Sequence, residues 1–322
     1  MKKTFISLVF IILANFSYSQ EEDKLLVSEI KQSTVITQPA TLNKGFFLLG
    51  STFMHVMIAD KMFSDNGKKE YVVQNLSSRN SIEYLHFHYG LTNRIELAFD
   101  LPYKITSISK SIIVDAPGYD TTEIYKYKIK GKGIGDMEFG IYYQIIKGSK
   151  TKPSLVFRLE ATFPTGEKNP TDIKGAWKYN LPTGGGETTL KSELNYRKIT
   201  YPYSYSFYGA LKYSFGGKKV MLPYENSISF KSGSFYEVGG NFNFLLNDWI
   251  AVQNDLNFIY KQADKYNGET AQMTKAQMGI WYNPNINFQF KKFRLVQGVA
   301  IVLYGKTMPA DPQYVIDLQY IF

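Results

Sequence analysis

The chain contains no cysteine. That excludes disulfides, thiolate zinc sites, a thiol nucleophile and an acylated lipoprotein cysteine. Histidine is nearly absent too, so imidazole chemistry has only His55, His86 and His88 to draw on. No stretch approaches the roughly 20 consecutive apolar residues that a membrane-spanning helix needs. Basic blocks are missing as well. The formal net charge of +9 is spread along the chain, with no basic stripe, so no nucleic-acid partner is expected. Beyond the amino-terminal segment, long helical periodicity is also hard to find.

Aromatic residues, in contrast, are abundant, with 25 Tyr, 23 Phe and 3 Trp. Apolar residues make up 44% and charged residues 20%, the balance of a chain that folds. At the amino terminus Lys2 and Lys3 precede a short apolar core from Phe5 to Ala14, and small residues Ser17 and Ser19 lie before Gln20. This pattern predicts a cleaved secretory signal over 1–19. Residues 20–45 begin with Glu21-Glu22-Asp23-Lys24 and predict a periplasmic lead-in. It is too short to bury a core of its own.

From residue 46 onward the dominant signal is period-two alternation. Tyr314, Ile316, Leu318, Tyr320 and Phe322 oppose Gln313, Val315, Asp317 and Gln319. Met137, Phe139, Ile141 and Tyr143 oppose Asp136, Glu138, Gly140 and Gln144. Similar series run through Leu155–Phe163, Tyr203–Tyr213 and Ile250–Tyr260. Alternation alone also fits a soluble sandwich. Three features favour a membrane barrel. The alternating runs are longer than the 5 or 6 residues at which soluble strands peak. Tyrosines gather at their ends, as interfacial girdles require. The connections are of two kinds that take turns. Strands are predicted near 46–58, 81–90, 94–110, 134–147, 153–163, 187–198, 203–215, 233–246, 248–262, 274–290, 293–305 and 313–322. Long connections (59–80, 111–133, 164–186, 216–232, 263–273, 306–312) alternate with tight ones such as Leu91-Thr92-Asn93 and Lys291-Lys292.

The prediction is therefore an all-β protein. It is a single transmembrane antiparallel β-barrel of about 12 strands over 46–322, with short periplasmic turns and long extracellular loops. A closed sheet pairs every backbone group within lipid without any apolar helix. Outer-membrane lipid and the barrel-assembly machinery are the partners this implies, with Tyr320 and Phe322 as the assembly signal at the carboxyl end.

Several segments resemble one family. They are Gly90-Leu91-Thr92-Asn93-Arg94-Ile95-Glu96-Leu97 running into Asp100-Leu101-Pro102-Tyr103, and Gly133-Ile134-Gly135-Asp136-Met137-Glu138-Phe139-Gly140. Phe163-Pro164-Thr165-Gly166 and the lead-in Gln38-Pro39-Ala40-Thr41-Leu42-Asn43-Lys44-Gly45 belong with them. This stretch, about 38–166, is similar to the outer-membrane barrel family named for the meta-pathway of phenol degradation. The resemblance implies a transporter-like barrel for small, hydrophobic or aromatic solutes, and no enzyme activity. In physical terms Gly90-Leu91-Thr92-Asn93 reads as a hairpin turn in which Gly and Asn can take positive φ. Gly131, Gly133 and Gly135 read as a sharp entry into a strand. The glycine-rich segments lead into no helix and lack the following Lys-Ser/Thr, so no nucleotide site or other cofactor is expected.

Alternation places Glu96, Asp100, Lys104, Asp136, Glu138, Arg158, Glu160, Lys191, Glu193 and Arg197 on inward faces, with Lys212, Glu237 and Asp255 extending the set. They are candidates for a selectivity lining or for a salt-bridge filling of a narrow barrel. His86 and His88 lie two apart, so both face the lumen, as polar filling, a pH sensor or a metal pair. No third ligand is legible, and no metal site is assigned. The expected function is passive passage of small solutes. One alternative is a non-conducting structural or surface-binding barrel. Another is a lipid hydrolase, which needs His55 beside a serine at the membrane rim.

Overall fold

The computed structural model describes residues 41–322 apart from 60, 72–75, 116–121, 149–151, 169–170, 173–178, 221–226, 248, 271–274 and 291. The expected signal segment 1–19 and most of the lead-in lie outside the described residues. Twelve long strands form a closed wall. They are β1 Phe47–Ala59, β2 Leu76–Gly90, β3 Ile95–Asp115, β4 Met137–Ile146, β5 Ser154–Phe163 and β6 Glu187–Thr200. They continue as β7 Tyr203–Val220, β8 Phe235–Asn247, β9 Ile250–Lys261, β10 Gln277–Phe290, β11 Phe293–Lys306 and β12 Gln313–Ile321. Each pairs antiparallel with its neighbour in sequence. β1 also pairs with β12, from Leu48 opposite Ile321 to His55 opposite Tyr314, so the sheet has no open edge. The last residue is part of that seam, since Phe322 N donates to Phe47 O at 2.8 Å.

The packing is inverted relative to a water-soluble protein. Val238 and Leu256 are 56% and 53% exposed on the outside, whereas Glu96 and Glu193 are buried within. Phe87, Phe99, Phe139 and Phe163 step across β2 to β5 on the outer face, with ring centroids 6.0, 4.8 and 5.8 Å apart. Tyr201, Tyr203, Trp249, Phe290 and Phe293 ring the short-turn end, and Tyr213, Tyr236, Tyr260 and Tyr304 the long-loop end. At about 25 cal/mol per Å², a continuous apolar belt is strongly unfavourable in water. Between two aromatic girdles it is the surface a bilayer requires.

Three local expectations are corrected. The turn after β2 has no residue of positive φ. It is held by the Thr92 hydroxyl, which accepts from Arg94 N and Ile95 N at 3.1 and 2.9 Å. Gly90 serves close approach instead, because a Cβ there would lie 1.9 Å from the Asn43 carbonyl oxygen. Next, the loop expected at 111–133 continues the wall. β3 runs on to Asp115 and is paired by an arm, Thr122–Ile134. The partners shift by one residue between Tyr103–Ile134 and Asp100–Glu138. That bulge at Gly135-Asp136 reverses which residues face inward.

The third correction concerns 59–80, expected to be a connection without strands of its own. Within it, Lys61–Phe63 and Lys69–Tyr71 join Met308–Pro309 in a small sheet. Phe63, Met308 and Ala310 are buried with Val302 and pack on Ile259 and Trp281. The result is a lid over part of the long-loop mouth. Its outer edge is tied by Asp65, which accepts from Lys275 Nζ and, at 3.0 Å, from Thr307 Oγ1. These bonds, Lys275 first, hold the Asp65 carboxyl below its ordinary value. A depressed carboxylate stabilises above its ordinary pKa, and that contribution is lost as pH falls through the folded-state value. Acidification below about pH 4 should therefore loosen the lid. Asp65→Asn should do the same at neutral pH, read as faster proteolytic nicking of 60–70 with the barrel intact.

Candidate functional site in the barrel lumen

The inward residues fall into four groups. Near the short-turn end, β2 and β3 bring His86, His88, Glu96 and Asp100 together. His86 Nδ1 lies 2.6 Å from Asp100 Oδ1, and His88 Nδ1 lies 2.7 Å from Glu96 Oε1. They line a cavity of about 220 Å³ that Leu42 closes from below. Leu42 is 4% exposed, and its backbone N donates to Glu96 Oε2 at 2.6 Å. Thr41 Oγ1 donates to Gln144 Oε1 at 3.1 Å. The end of the lead-in thus enters the barrel mouth. Gly90→Val should expel it and raise the unitary conductance, with thermal stability of the barrel little changed.

The middle of the lumen carries a charge network. Arg158 lies 3.2 Å from Glu193, and Lys191 bridges Glu160 and Glu193 at 3.4 and 3.2 Å. Tyr142 donates to Glu160 at 2.8 Å, and Arg158 lies over its ring at 5.0 Å. Toward the long loops, Lys104, Asp136, Glu138 and Lys212 line a cavity of about 210 Å³. Asp136 is engaged in holding the backbone. It accepts from Gly166 N at 3.0 Å and from Gly185 N at 2.6 Å. Alternation placed it correctly inside, while its partners give it a structural role.

The fourth group lines a wider space, a cavity of about 770 Å³ walled by β5 to β12 and the inner face of β1. Its deeper part presents Arg158, Arg197, Arg294, Asp255 and Asp317 with Asn241, Gln253 and Asn285. Asp255 accepts from Gln253, Asn241 and, at 3.1 Å, Asn285. Thr52 Oγ1 donates to Asp317 at 2.8 Å. Asn257 Oδ1, Asn283 Oδ1 and Arg294 Nε have no protein partner among the described residues. Buried polar atoms are normally satisfied, so these point to water or polar solute in the cavity. Its upper part, beneath the lid, combines apolar Phe235, Ile259, Trp281 and Val315 with Glu237 and Gln313.

Among these twelve inward candidates, His86 and His88 meet Glu96 and Asp100 directly, and Arg158, Glu160, Lys191 and Glu193 form one network. Lys104 and Glu138 stand apart from both, and Arg197 joins the large cavity. Arg294 and the amide series Asn283, Asn285, Asn287 and Gln289 were missed. The series alternates with Tyr282, Pro284, Ile286 and Phe288 along β10, a period-two signal that was there to be read. His55 faces outward, with Nδ1 2.7 Å from Ser81 Oγ. Glu83, on the same outer face, accepts from Ser51 at 3.1 Å and not from His55.

No family model matches the chain. Among solved structures, it is similar to an outer-membrane channel from Pseudomonas putida F1, with a TM-score of 0.67 and 15% identity. That match covers 89% of this chain and 100% of that one. The toluene transporter TodX of P. putida is a weaker likeness, with a TM-score of 0.47 and 10% identity over 90% and 93% of the two chains. At such identities the likeness is one of architecture, and the chain has the fold of the outer-membrane β-barrels.

Proposed function

We propose that this protein is an outer-membrane channel that passes small polar solutes by diffusion. The observation that carries this reading is the 770 Å³ cavity, with its charged and amide-lined floor and polar atoms that no group among the described residues satisfies. A path for hydrocarbons needs an apolar wall along its length. Here apolar lining residues such as Val156, Val296 and Val315 are interleaved with charged and amide groups along the cavity, so the reading moves from the aromatic solutes implied by the family resemblance toward polar ones. Leu42 at one end and the lid at the other are the constrictions that set the size limit. In the same reading the chain is exported on residues 1–19, and the strand ending in Tyr320 and Phe322 is presented to the assembly machinery. The short turns then face the periplasm and the long loops the exterior.

Liposome swelling tests the proposal. Proteoliposomes of the refolded, signal-free chain should swell in isotonic small sugars and amino acids, with rates that fall as solute size rises. Barrels verified as folded that admit none of these solutes would overturn it. In a salt gradient, Arg294→Glu should move the reversal potential toward cation preference, because it reverses one charge in the wall of the passage.

A second reading, hydrolysis at the rim, has one observation in its favour, the outward His55–Ser81 contact. A serine nucleophile needs a base that is itself oriented by a third group. Glu83, the acid nearest in sequence on that face, is bonded to Ser51. Phospholipid hydrolysis abolished by Ser81→Ala would establish this reading.

A further inference from the structure

We propose that the lumen holds a divalent transition-metal site formed by His86, His88 and Asp100. Hydrogen-bond accounting leads there. Thr52 Oγ1 gives its one proton to Asp317 Oδ1 at 2.8 Å. It must therefore accept from His86 Nε2, 2.7 Å away, which puts the ring proton on Nε2. His88 Nδ1 faces Glu96 Oε1 at 2.7 Å, and the other oxygen of that carboxylate already accepts from Leu42 N. A carboxylate only accepts, so His88 carries its proton on Nδ1.

In neutral rings both remaining nitrogens, His86 Nδ1 and His88 Nε2, are then lone pairs. They point at one oxygen, Asp100 Oδ1, at 2.6 and 3.4 Å. Three acceptors facing one another need positive charge between them, supplied by extra ring protons or by one metal ion. All three ligand atoms lie within 4.8 Å of one another. Bonds of about 2.0–2.2 Å to imidazole nitrogen and carboxylate oxygen are within reach of small side-chain rotations.

The surroundings fit the metal. Each imidazole has its second nitrogen fixed by a hydrogen bond, Glu96 for His88 and Thr52 for His86, which is the support that metal-bound histidines carry. The adjoining cavity of about 220 Å³ leaves room for a water or solute as a further ligand. Two imidazoles and one carboxylate select Zn²⁺, Cu²⁺ or Ni²⁺ over Ca²⁺ or Mg²⁺. The site sits just above Leu42, so an occupied site narrows the short-turn mouth.

The test uses the full, untagged chain refolded in detergent, titrated with Cu²⁺ and with Zn²⁺. One saturating ion per barrel is expected, and the Cu²⁺ paramagnetic resonance spectrum should show coupling to two nitrogens. His86→Ala and His88→Ala should each abolish the two-nitrogen signature, while His55→Ala leaves it unchanged. Thr52→Val, which removes only a supporting bond, should weaken binding about 10–100-fold. Asp100→Asn keeps the side-chain shape and serves if an alanine variant fails to fold; it too should weaken binding. Absence of saturable binding, or binding that survives loss of both histidines in a folded barrel, overturns the proposal. The readout needs no ion flow, so it stands or falls separately from the channel reading.

Discussion

Glu193→Ala should be among the most damaging single changes in the lumen. It strands Arg158, whose ionic partner it is at 3.2 Å, and takes from Lys191 one of its two carboxylates. Removing one partner of a buried ion pair costs about 3–5 kcal/mol, because the other charge stays buried without compensation. The expected result is a clear drop in the temperature at which the barrel loses its heat-modifiable gel mobility. Any barrel that still forms should shift its reversal potential toward anions. Glu193→Gln keeps an acceptor for Arg158 and should lose less stability while giving the same shift in selectivity. Equal stability of all three proteins would mean that water, not this network, carries the charge of Arg158.

Asp136→Ala is the second large effect, and it separates two roles for one residue. Seen by alternation alone, Asp136 is a lumen charge, and its loss should change ion selectivity. Seen in its contacts, it clamps Gly166 N and Gly185 N. Each buried N–H left without a partner costs about 1–3 kcal/mol. The structural role predicts a lowered melting temperature and rapid proteolysis within 164–186, with the reversal potential of surviving channels close to that of the parent. Asp136→Asn retains one acceptor oxygen and should fall between. A changed reversal potential at unchanged stability would restore the selectivity role.

These contrasts mark what the sequence could carry. Which face a residue occupies follows from parity along a strand, so the inward His86 and His88 and the outward Phe87 were legible without coordinates. The twelve-strand count was legible from alternation and from the sorting of long and short connections. Cross-strand partners were not. That Asp100 is the group both histidines face depends on the register set by the Thr92 turn, and a one-residue slip would have turned Asp100 outward. The bulge at Gly135-Asp136 reverses parity inside a run that reads as continuous. The lid joins Phe63 to Met308 across most of the chain, and single apolar residues in polar loops give no local signal of such a meeting. The His55–Ser81 contact likewise required β1 to pair with β2 across a long connection.

The central claim is a continuous wet path through the lumen, and single-channel recording tests it most directly. The refolded, signal-free chain in a planar bilayer should show reproducible open steps, enlarged by Gly90→Val as Leu42 leaves the mouth. Electrical silence from a barrel verified as folded, in both the parent and Gly90→Val, would contradict the account and leave a filled, non-conducting barrel in its place.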